Sequence, residues 1–419
     1  MIQVIDAKDK EKIKKIKQRS KKNFELAINK VIPIVNGVKT LGDRALFDYV
    51  KKYDNFEITK NNILVSKEEI KQAYSKVDEK TISAIKEAKE NIEKYAQLQM
   101  PKEWSEEVKP GVKVGQLVRP IEKVGCYVPG GNFPLVSSVL MTVLPAKVAG
   151  VKEIVVCTPP KENNFALYVA CDICGIDKIY RMGGAQAIAA MAYGTDSVVK
   201  VDKIVGPGNV FVTAAKKLVY GDVGIDFLAG PSEVLILAEY GNPSFIAADM
   251  LAQAEHDLLA SAVLVTTDRK LAKDVEKELE IQLKELNSSF AAESLRKYGA
   301  IIIVKDIEEG IEIANNFAPE HLEVIVKEDI ISKLDNFGAL FIGEYSPEAA
   351  GDYCSGPNHV LPTGGVAKFR AGLGILDFVK MPTVQELSKE GLNSLKDTIK
   401  SLASVEGLDG HKKSVEKRF

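Results

Sequence analysis

Histidine is scarce in this chain, with four in 419 residues, and the five cysteines and single tryptophan are hardly more frequent. No apolar run approaches the roughly 20 residues a membrane span needs, so the 46% hydrophobic content is available for globular cores. Neither sign of charge dominates: 56 basic residues against 58 acidic ones leave a formal net charge of -2. Without a domain-scale positive field, the chain is not expected to bind nucleic acid or an anionic membrane. Small molecules and further copies of the chain are the expected partners. The opening MIQVIDAKDKEKIKKIKQRSKKNF has no apolar signal core, and its acidic residues argue against a transit sequence, so a cytoplasmic location is expected. Tandem repeats, low-complexity tracts and flexible linkers are also missing. The length fits two or three domains at roughly 150 residues each.

Cys126, Cys157, Cys171, Cys174 and Cys354 are odd in number and stand mostly in apolar settings such as VGCYV and IVVCT. That pattern reads as reduced thiols used as small core residues. Cys171 and Cys174 form a lone CxxC without a second pair or a nearby histidine, which reads as one apolar helix face rather than a metal or redox site.

What the chain does contain is an alternation of short β-rich runs and helix-length amphipathic segments. KVGCYVP, KEIVVCTPP, KIYRMGG and KIVGPG are separated by helical patterns such as SSVLMTVLPAKVAG and AQAIAAMAYG. VLILAE, SAVLVTT, AIIIV, LEVIV and ALFIG form a second such series, with a helix starting at Asn242 and Pro243 at its first position. Two α/β modules with parallel sheets are expected. The GxGxxG dinucleotide fingerprint is absent. In its place, Gly206-Pro207-Gly208-Asn209 and Pro129-Gly130-Gly131-Asn132 each follow a strand. Free N–H groups at such a strand-to-helix turn favour phosphate. Tight turns also need glycine for geometry alone, but two in one module favour nucleotide binding.

The histidines are His256 in QAEHD, His321 in APEHLE, His359 in GPNHVLP and His411 in LDGHKK. None lies on an apolar helix stripe, and all have polar or turn-forming neighbours, which points toward a shared site. Gln253 and His256 are three residues apart, so a helix would present both on one side. Asp352 and His411 could complete a mixed nitrogen and oxygen set suited to zinc, with manganese or cobalt as alternatives. Spacing alone is a weak argument here, because amide ligands are unusual. Adjacent Glu320 and His321 could serve as an acid/base pair if Pro319 keeps them in a loop; otherwise they are a solvated stretch before strand LEVIV.

GCYVPGGNFPLVSSVLMTVLPAKVAGV, RMGGAQAIA, VGPGNVFV, DFLAGPSEVLILA, LAQAEH, FAPEHLE, GDYCSGPNHVLPT and EGLDGHKKSV together resemble the histidinol dehydrogenase family over roughly residues 20 to 415. The resemblance implies an NAD- and zinc-dependent enzyme that takes L-histidinol through L-histidinaldehyde to L-histidine, the last two oxidations of histidine biosynthesis, using two NAD per turnover. It implies one zinc per subunit, held by Gln253, His256, Asp352 and His411, with Glu320 and His321 as the acid/base pair. Substrate contacts would be Ser232, Gln253, His256, His321, Asp352, His359, Glu406 and His411, and NAD contacts Tyr127, Gln186 and Asn209. The implied assembly is a homodimer in which each C-terminal tail, with His411 and Glu406, reaches the partner's site. The implied fold is two Rossmann-like α/β modules with parallel sheets, one inserted in the other, plus small helical terminal segments. Residues 1–20 would form an N-terminal helical segment, 21–125 and 234–378 the module with most zinc and catalytic residues, 126–233 the NAD module, and 379–419 the helical tail. The lysine-rich first 20 residues match nothing specific, and Cys354 stands where alanine would also fit. Two rival functions stay open: an aldehyde dehydrogenase using Cys126 or Cys354 as nucleophile, and a non-catalytic metal- or nucleotide-binding module.

Overall fold

The computed structural model describes residues 2–17, 19, 21–130, 135–286 and 288–419. The turn at Gly131 and Asn132 lies outside them. Two all-parallel sheets organise the chain. The five-stranded sheet has the spatial order Ile179–Arg181, Glu153–Thr158, Lys123–Tyr127, Lys203–Val205, Gly224–Ile225. Its side chains alternate between faces, as the two-residue period of a strand requires. Val124, Cys126 and Val156 pack toward helix Val136–Val148 and helix Phe165–Ile173. Tyr127, Val155 and Cys157 pack toward helix Gly184–Tyr193 and helix Val210–Val219.

The six-stranded sheet runs Gln3–Asp6, Ala300–Ile303, Ser261–Thr266, Glu233–Ala238, His321–Ile325, Ala339–Ile342. Val234 and Ile236 face helix Pro243–Ala254 and helix Arg269–Leu286. Leu235 and Leu237 face helix Ile307–Phe317. In both sheets the first βαβ strand is central, the next two lie to one side and the later two to the other. Each sheet therefore has a switch point beside its central strand, where neighbouring connections diverge and open a crevice. The six-stranded sheet takes one edge strand from the start of the chain and the rest from Glu233 onward, so the five-stranded module is inserted within it.

Two expectations differ from this arrangement. Residues 1–20 are not purely helical: Gln3–Asp6 pairs with Ala300–Ile303 and only Lys10–Lys17 is helix. Grouping residues 21–125 with 234–378 also differs from the packing. Val31, Val35 and Val38 of helix Lys21–Leu41 bury among Ile188, Val212 and Ala215, and Ile85 and Ile92 of helix Glu79–Leu98 bury beside Val139 and Val143. These helices cover the five-stranded sheet's module.

The tail begins as sheet and continues as helix. Thr383–Leu387 pairs with Val112–Gln116, which pairs in turn with Trp104–Lys109. Helices Lys389–Val405 and Asp409–Glu416 then pack on each other, leaving Leu402, Val405 and Leu408 exposed. Among the described residues no helix is long and apolar enough to cross a membrane.

Candidate active site

The clustered polar residues gather at the amino ends of two neighbouring strands of the six-stranded sheet. Val234 pairs with His321, which places Glu233 beside Glu320. Glu320 precedes the strand in a short connection that begins at Ala318, whose positive φ of 53° closes helix Ile307–Phe317. Glu320 and His321 are both buried, 6% and 3% exposed, and Oε2 of Glu320 lies 4.0 Å from Nδ1 of His321. The connection thus turns adjacent side chains toward one site, which a continuous strand would not do.

His321 is surrounded by oxygen. Its Nδ1–H donates to Oε1 of Gln253 at 3.0 Å, and Glu348 Oε2 lies 3.7 Å from the same nitrogen. Nε2 lies 3.3 Å from Oδ1 of Asp352, off line for a hydrogen bond, so it has an ion-pair contact but no hydrogen-bond partner. Burial works against a charged imidazole here, yet Asp352, Glu320 and Glu348 outweigh it and push the His321 pKa up to about 10. Burial raises Glu320 to about 7, against the pull of His321 and of the Glu233 N–H that donates to Oε2 at 2.9 Å. Burial would raise Asp352 too, but His321 at hydrogen-bonding distance brings it below the usual carboxylate value.

Asn242 caps helix Pro243–Ala254 by accepting from the Ser244 N–H at 3.0 Å, with Pro243 at the first position, where its missing N–H is harmless. Gln253 is buried in the last turn, whereas His256 lies just past the helix end and is partly exposed, a departure from the single-helix placement. Nδ1 of His256 donates to Ala252 O at 3.0 Å, which turns Nε2 toward Asp352 Oδ2 at 3.8 Å. An imidazole fixed through one nitrogen and open at the other is the usual arrangement of a metal-ligating histidine. Among the described residues, no group of three or more His, Cys, Asp or Glu is gathered to hold a metal ion. The single chain brings together Gln253, His256 and Asp352, three nitrogen and oxygen donors of a type that suits zinc. It does not bring His411 or Glu406 to them: both are exposed on the tail, His411 within helix Asp409–Glu416 and Glu406 at the end of helix Lys389–Val405.

His359 joins the two modules. Its Nδ1–H donates to Asp352 O at 2.8 Å, and its Nε2 lies 3.4 Å from Oγ of Ser138, in the first turn of helix Val136–Val148. Burial lowers its pKa. Ser232 directly precedes Glu233, and its carbonyl accepts from the Ser261 N–H at 3.0 Å.

On the other module, Tyr127 and the turn at Gly206 flank the switch point of the five-stranded sheet. Tyr127 ends the central strand, and its buried hydroxyl accepts from the Gly184 N–H at 3.1 Å. Gln186, also buried, donates to Asp54 Oδ2 at 3.1 Å. Asn209 caps helix Val210–Val219, accepting from Phe211 N–H at 3.0 Å and Val212 N–H at 3.2 Å. Tyr127, Gln186 and Asn209 thus lie at or just after the carboxyl ends of strands Lys123–Tyr127, Ile179–Arg181 and Lys203–Val205, the end of a parallel sheet at which ligands of this fold class bind.

The cysteines are free thiols, buried except for Cys354. Burial pushes Cys126 and Cys174 to about 12, and Cys171 rises well above its ordinary value for the same reason, so Cys126 is poorly suited to act as a nucleophile. Three groups beside the site escape notice in the sequence. Glu348 is buried with neither carboxyl oxygen in a hydrogen bond, and the Glu233 carboxylate forms a buried ion pair with Arg19 at 3.0 Å. Each lies in a stretch that reads locally as ordinary surface.

A buried cluster of ionisable side chains on one parallel α/β sheet, tied through His359 and Ser138 to a second parallel α/β module, is the arrangement of a two-module α/β enzyme. The family model described as histidinol dehydrogenase matches residues 17–419. A histidinol dehydrogenase from Methanothermobacter thermautotrophicus is 47% identical over 426 residues, covering 100% of both chains. One from Clostridium acetobutylicum is 48% identical over 411 residues, covering 96% of this chain and 95% of the other. The crystal structure of histidinol dehydrogenase from Elizabethkingia anophelis superposes with a TM-score of 0.90 at 41% identity, covering 93% of this chain and 91% of that one. The chain belongs to the histidinol dehydrogenase family, a family of oxidoreductases.

Proposed function

We propose that the protein oxidises L-histidinol to L-histidine through L-histidinaldehyde, as a cytoplasmic homodimer using two NAD per turnover and one zinc per subunit. The observation that carries this reading is the convergence of Glu320, His321, Asp352 and Gln253 in one cluster, with His256 at its exposed edge, in a chain whose residues 17–419 match the family. Gln253, His256 and Asp352, with His411 of the partner subunit, would hold the metal. Bound zinc supplies a fixed positive anchor for the substrate's imidazole and amine nitrogens. Tyr127, Gln186 and Asn209 would hold NAD, which would supply the hydride acceptor for each oxidation.

With Asp352 committed to the metal, its carboxylate would no longer hold a proton on His321, and the neutral imidazole would take the hydroxyl proton of the alcohol through Nε2, the nitrogen left without a hydrogen-bond partner, as the carbon loses hydride. The products are aldehyde, NADH and a proton. Glu320, buried and able to exchange a proton near neutrality, draws a proton from water as the water oxygen adds to the aldehyde carbon, while His321 returns its proton to the aldehyde oxygen, which gives the hydrate and leaves His321 neutral again. His321 then accepts a hydroxyl proton from the hydrate as the second hydride leaves, giving the carboxylic acid, which ionises, and a second NADH. By accepting from Nδ1–H, Gln253 fixes the tautomer of neutral His321 that leaves Nε2 free to take a proton. Ser232, His359 and the partner subunit's Glu406 complete the contacts that orient the substrate, so that both oxidations proceed without release of the aldehyde.

The test is NADH formation from L-histidinol by the wild type, by chelated enzyme with and without added zinc, and by His256→Ala and His321→Ala. Two NADH per histidinol, lost on chelation, restored by zinc and abolished in both variants, is the expected result. Purified wild type that binds zinc and NAD yet makes no NADH would overturn the reading in favour of a binding module. Chelated enzyme that still oxidises the aldehyde would favour a cysteine-based mechanism.

A further inference from the structure

Arg19 lies in the lysine-rich opening segment, which carries no motif of the site, yet its side chain is only 2% exposed. Nε–H donates to Leu259 O at 2.6 Å. Nη1 donates to Ile16 O at 3.2 Å and to Glu233 Oε2 at 3.0 Å, and Nη2 donates to Pro231 O and Ser232 O, each at 3.1 Å. These five bonds use the full donor complement of a guanidinium. Pro231, Ser232 and Glu233 are consecutive and lead into the central strand of the six-stranded sheet. Leu259 belongs to the turn that follows His256. One side chain therefore ties the Ser232 loop to the His256 loop.

The same guanidinium compensates a buried charge directly behind Glu320. The Glu233 carboxylate is 1% exposed; one oxygen meets Arg19 and the other accepts from the Gly364 N–H at 2.8 Å. The backbone N–H of Glu233 holds the Glu320 carboxyl at 2.9 Å. A buried carboxylate that loses its counter-ion must take up a proton or repel its neighbours, and either response disturbs the backbone that holds Glu320.

We infer that Arg19 is a positioning residue of the active site: it sets Glu320 through Glu233 and holds the Ser232 and His256 loops in one arrangement. This rests on the proposed histidinol oxidation, in which Glu320 serves the aldehyde-to-acid step. Removing the charge and removing the fork should then have separable effects, because lysine keeps the first and loses the second.

The experiment compares full-length, zinc-loaded wild type, Arg19→Lys, Arg19→Gln and Arg19→Gln/Glu233→Gln. It measures steady-state constants for L-histidinol, NADH per histidinol, and aldehyde captured by semicarbazide. Arg19→Gln is expected to lower the rate of the second oxidation by roughly tenfold or more, a modest loss for a misplaced reacting group, with NADH per histidinol falling from two toward one. Removing the orphaned carboxylate in the double variant is expected to restore part of the second oxidation. Arg19→Lys is expected to keep most of kcat and raise KM for histidinol several-fold. If Arg19→Gln does not fold, Arg19→Lys decides through that KM change. Variants that keep two NADH per histidinol, with kcat and KM unchanged, would overturn the role of Arg19 alone. A wild type that makes no NADH from histidinol overturns the underlying reading, and this proposal with it.

Discussion

The amide oxygen of Gln253 lies 3.0 Å from Nδ1 of His321, so a residue proposed to hold the metal also orients the proposed base. A carbonyl-type oxygen has two lone pairs and can serve both partners. Gln253→Ala is therefore expected to weaken zinc binding by at least the roughly 10–100-fold typical of altered metal surroundings, and to lower kcat even when zinc is saturating. Equilibrium dialysis with metal analysis, followed by kinetics at excess zinc, separates the two effects. Full recovery of kcat on adding zinc would show that the contact to His321 has no orienting role.

A second pair of groups links the site to folding stability. Glu323, on the strand that begins with His321, is 3% exposed, and its carboxyl shares a hydrogen bond with that of Asp249 on helix Pro243–Ala254. Burial, followed by the neighbouring Asp249 charge, pushes Glu323 up to about 8, and burial pushes Asp249 up to about 6. Both pKa values are raised on folding, so the folded state binds more protons than the unfolded state at intermediate pH. Their contribution to stability is complete below the ordinary carboxylate range and is lost as pH rises through these values, at up to about 1.4 kcal/mol per pH unit for each proton. Denaturation midpoints of metal-free protein between pH 5 and 8.5 should therefore fall with pH, and Glu323→Gln should flatten the slope. Equal slopes in the two proteins would rule the pair out as its source.

Gly206 opens the turn beside the proposed NAD crevice with a φ of 118°, and a methyl group there would run into the carbonyl oxygen of Tyr127. The φ alone is unfavourable for alanine by about 1–3 kcal/mol, and the backbone clash adds to it. Gly206→Ala is expected to lower the unfolding temperature and to raise KM for NAD more than KM for histidinol. Calorimetric titration with NAD provides an independent check. If NAD affinity is unchanged in a folded variant, this turn does not shape the nucleotide site.

The parallel sheets were readable because strands buried on both faces become short β-branched or aliphatic runs, such as VLILA, SAVLVT and AIII, between helical stretches. His256, His321 and Asp352 stood out because scarce or ionisable residues occurred in turn-forming motifs. Strand Gln3–Asp6 is only four residues long and abuts a lysine-rich helix, so its period-two signal is too short to read. The helices from residue 21 to 98 have clear apolar faces, but periodicity says that a face is buried and not which sheet it covers. Arg19, Glu233, Glu323 and Glu348 are illegible for a related reason: charged residues are mostly exposed, and their burial here depends on partners as much as 240 residues away, as for Arg19 and Leu259.

The position of His411 tests the proposed exchange of tails. Within one chain it lies on an exposed helix beyond Leu402, Val405 and Leu408, apolar side chains that a partner would cover. His256→Ala and His411→Ala should each be inactive as homodimers. If the tail serves the partner subunit, a mixed dimer places both defects in one site and leaves the other site intact. Unfolding and refolding the two variants together at equal concentrations makes about half the dimers mixed, so activity should return to about a quarter of the wild-type value. If each tail serves its own subunit, every site keeps one defect and no activity returns. Sedimentation of the refolded mixture confirms that dimers have formed, so that a lack of recovery speaks to the tail and not to failed assembly.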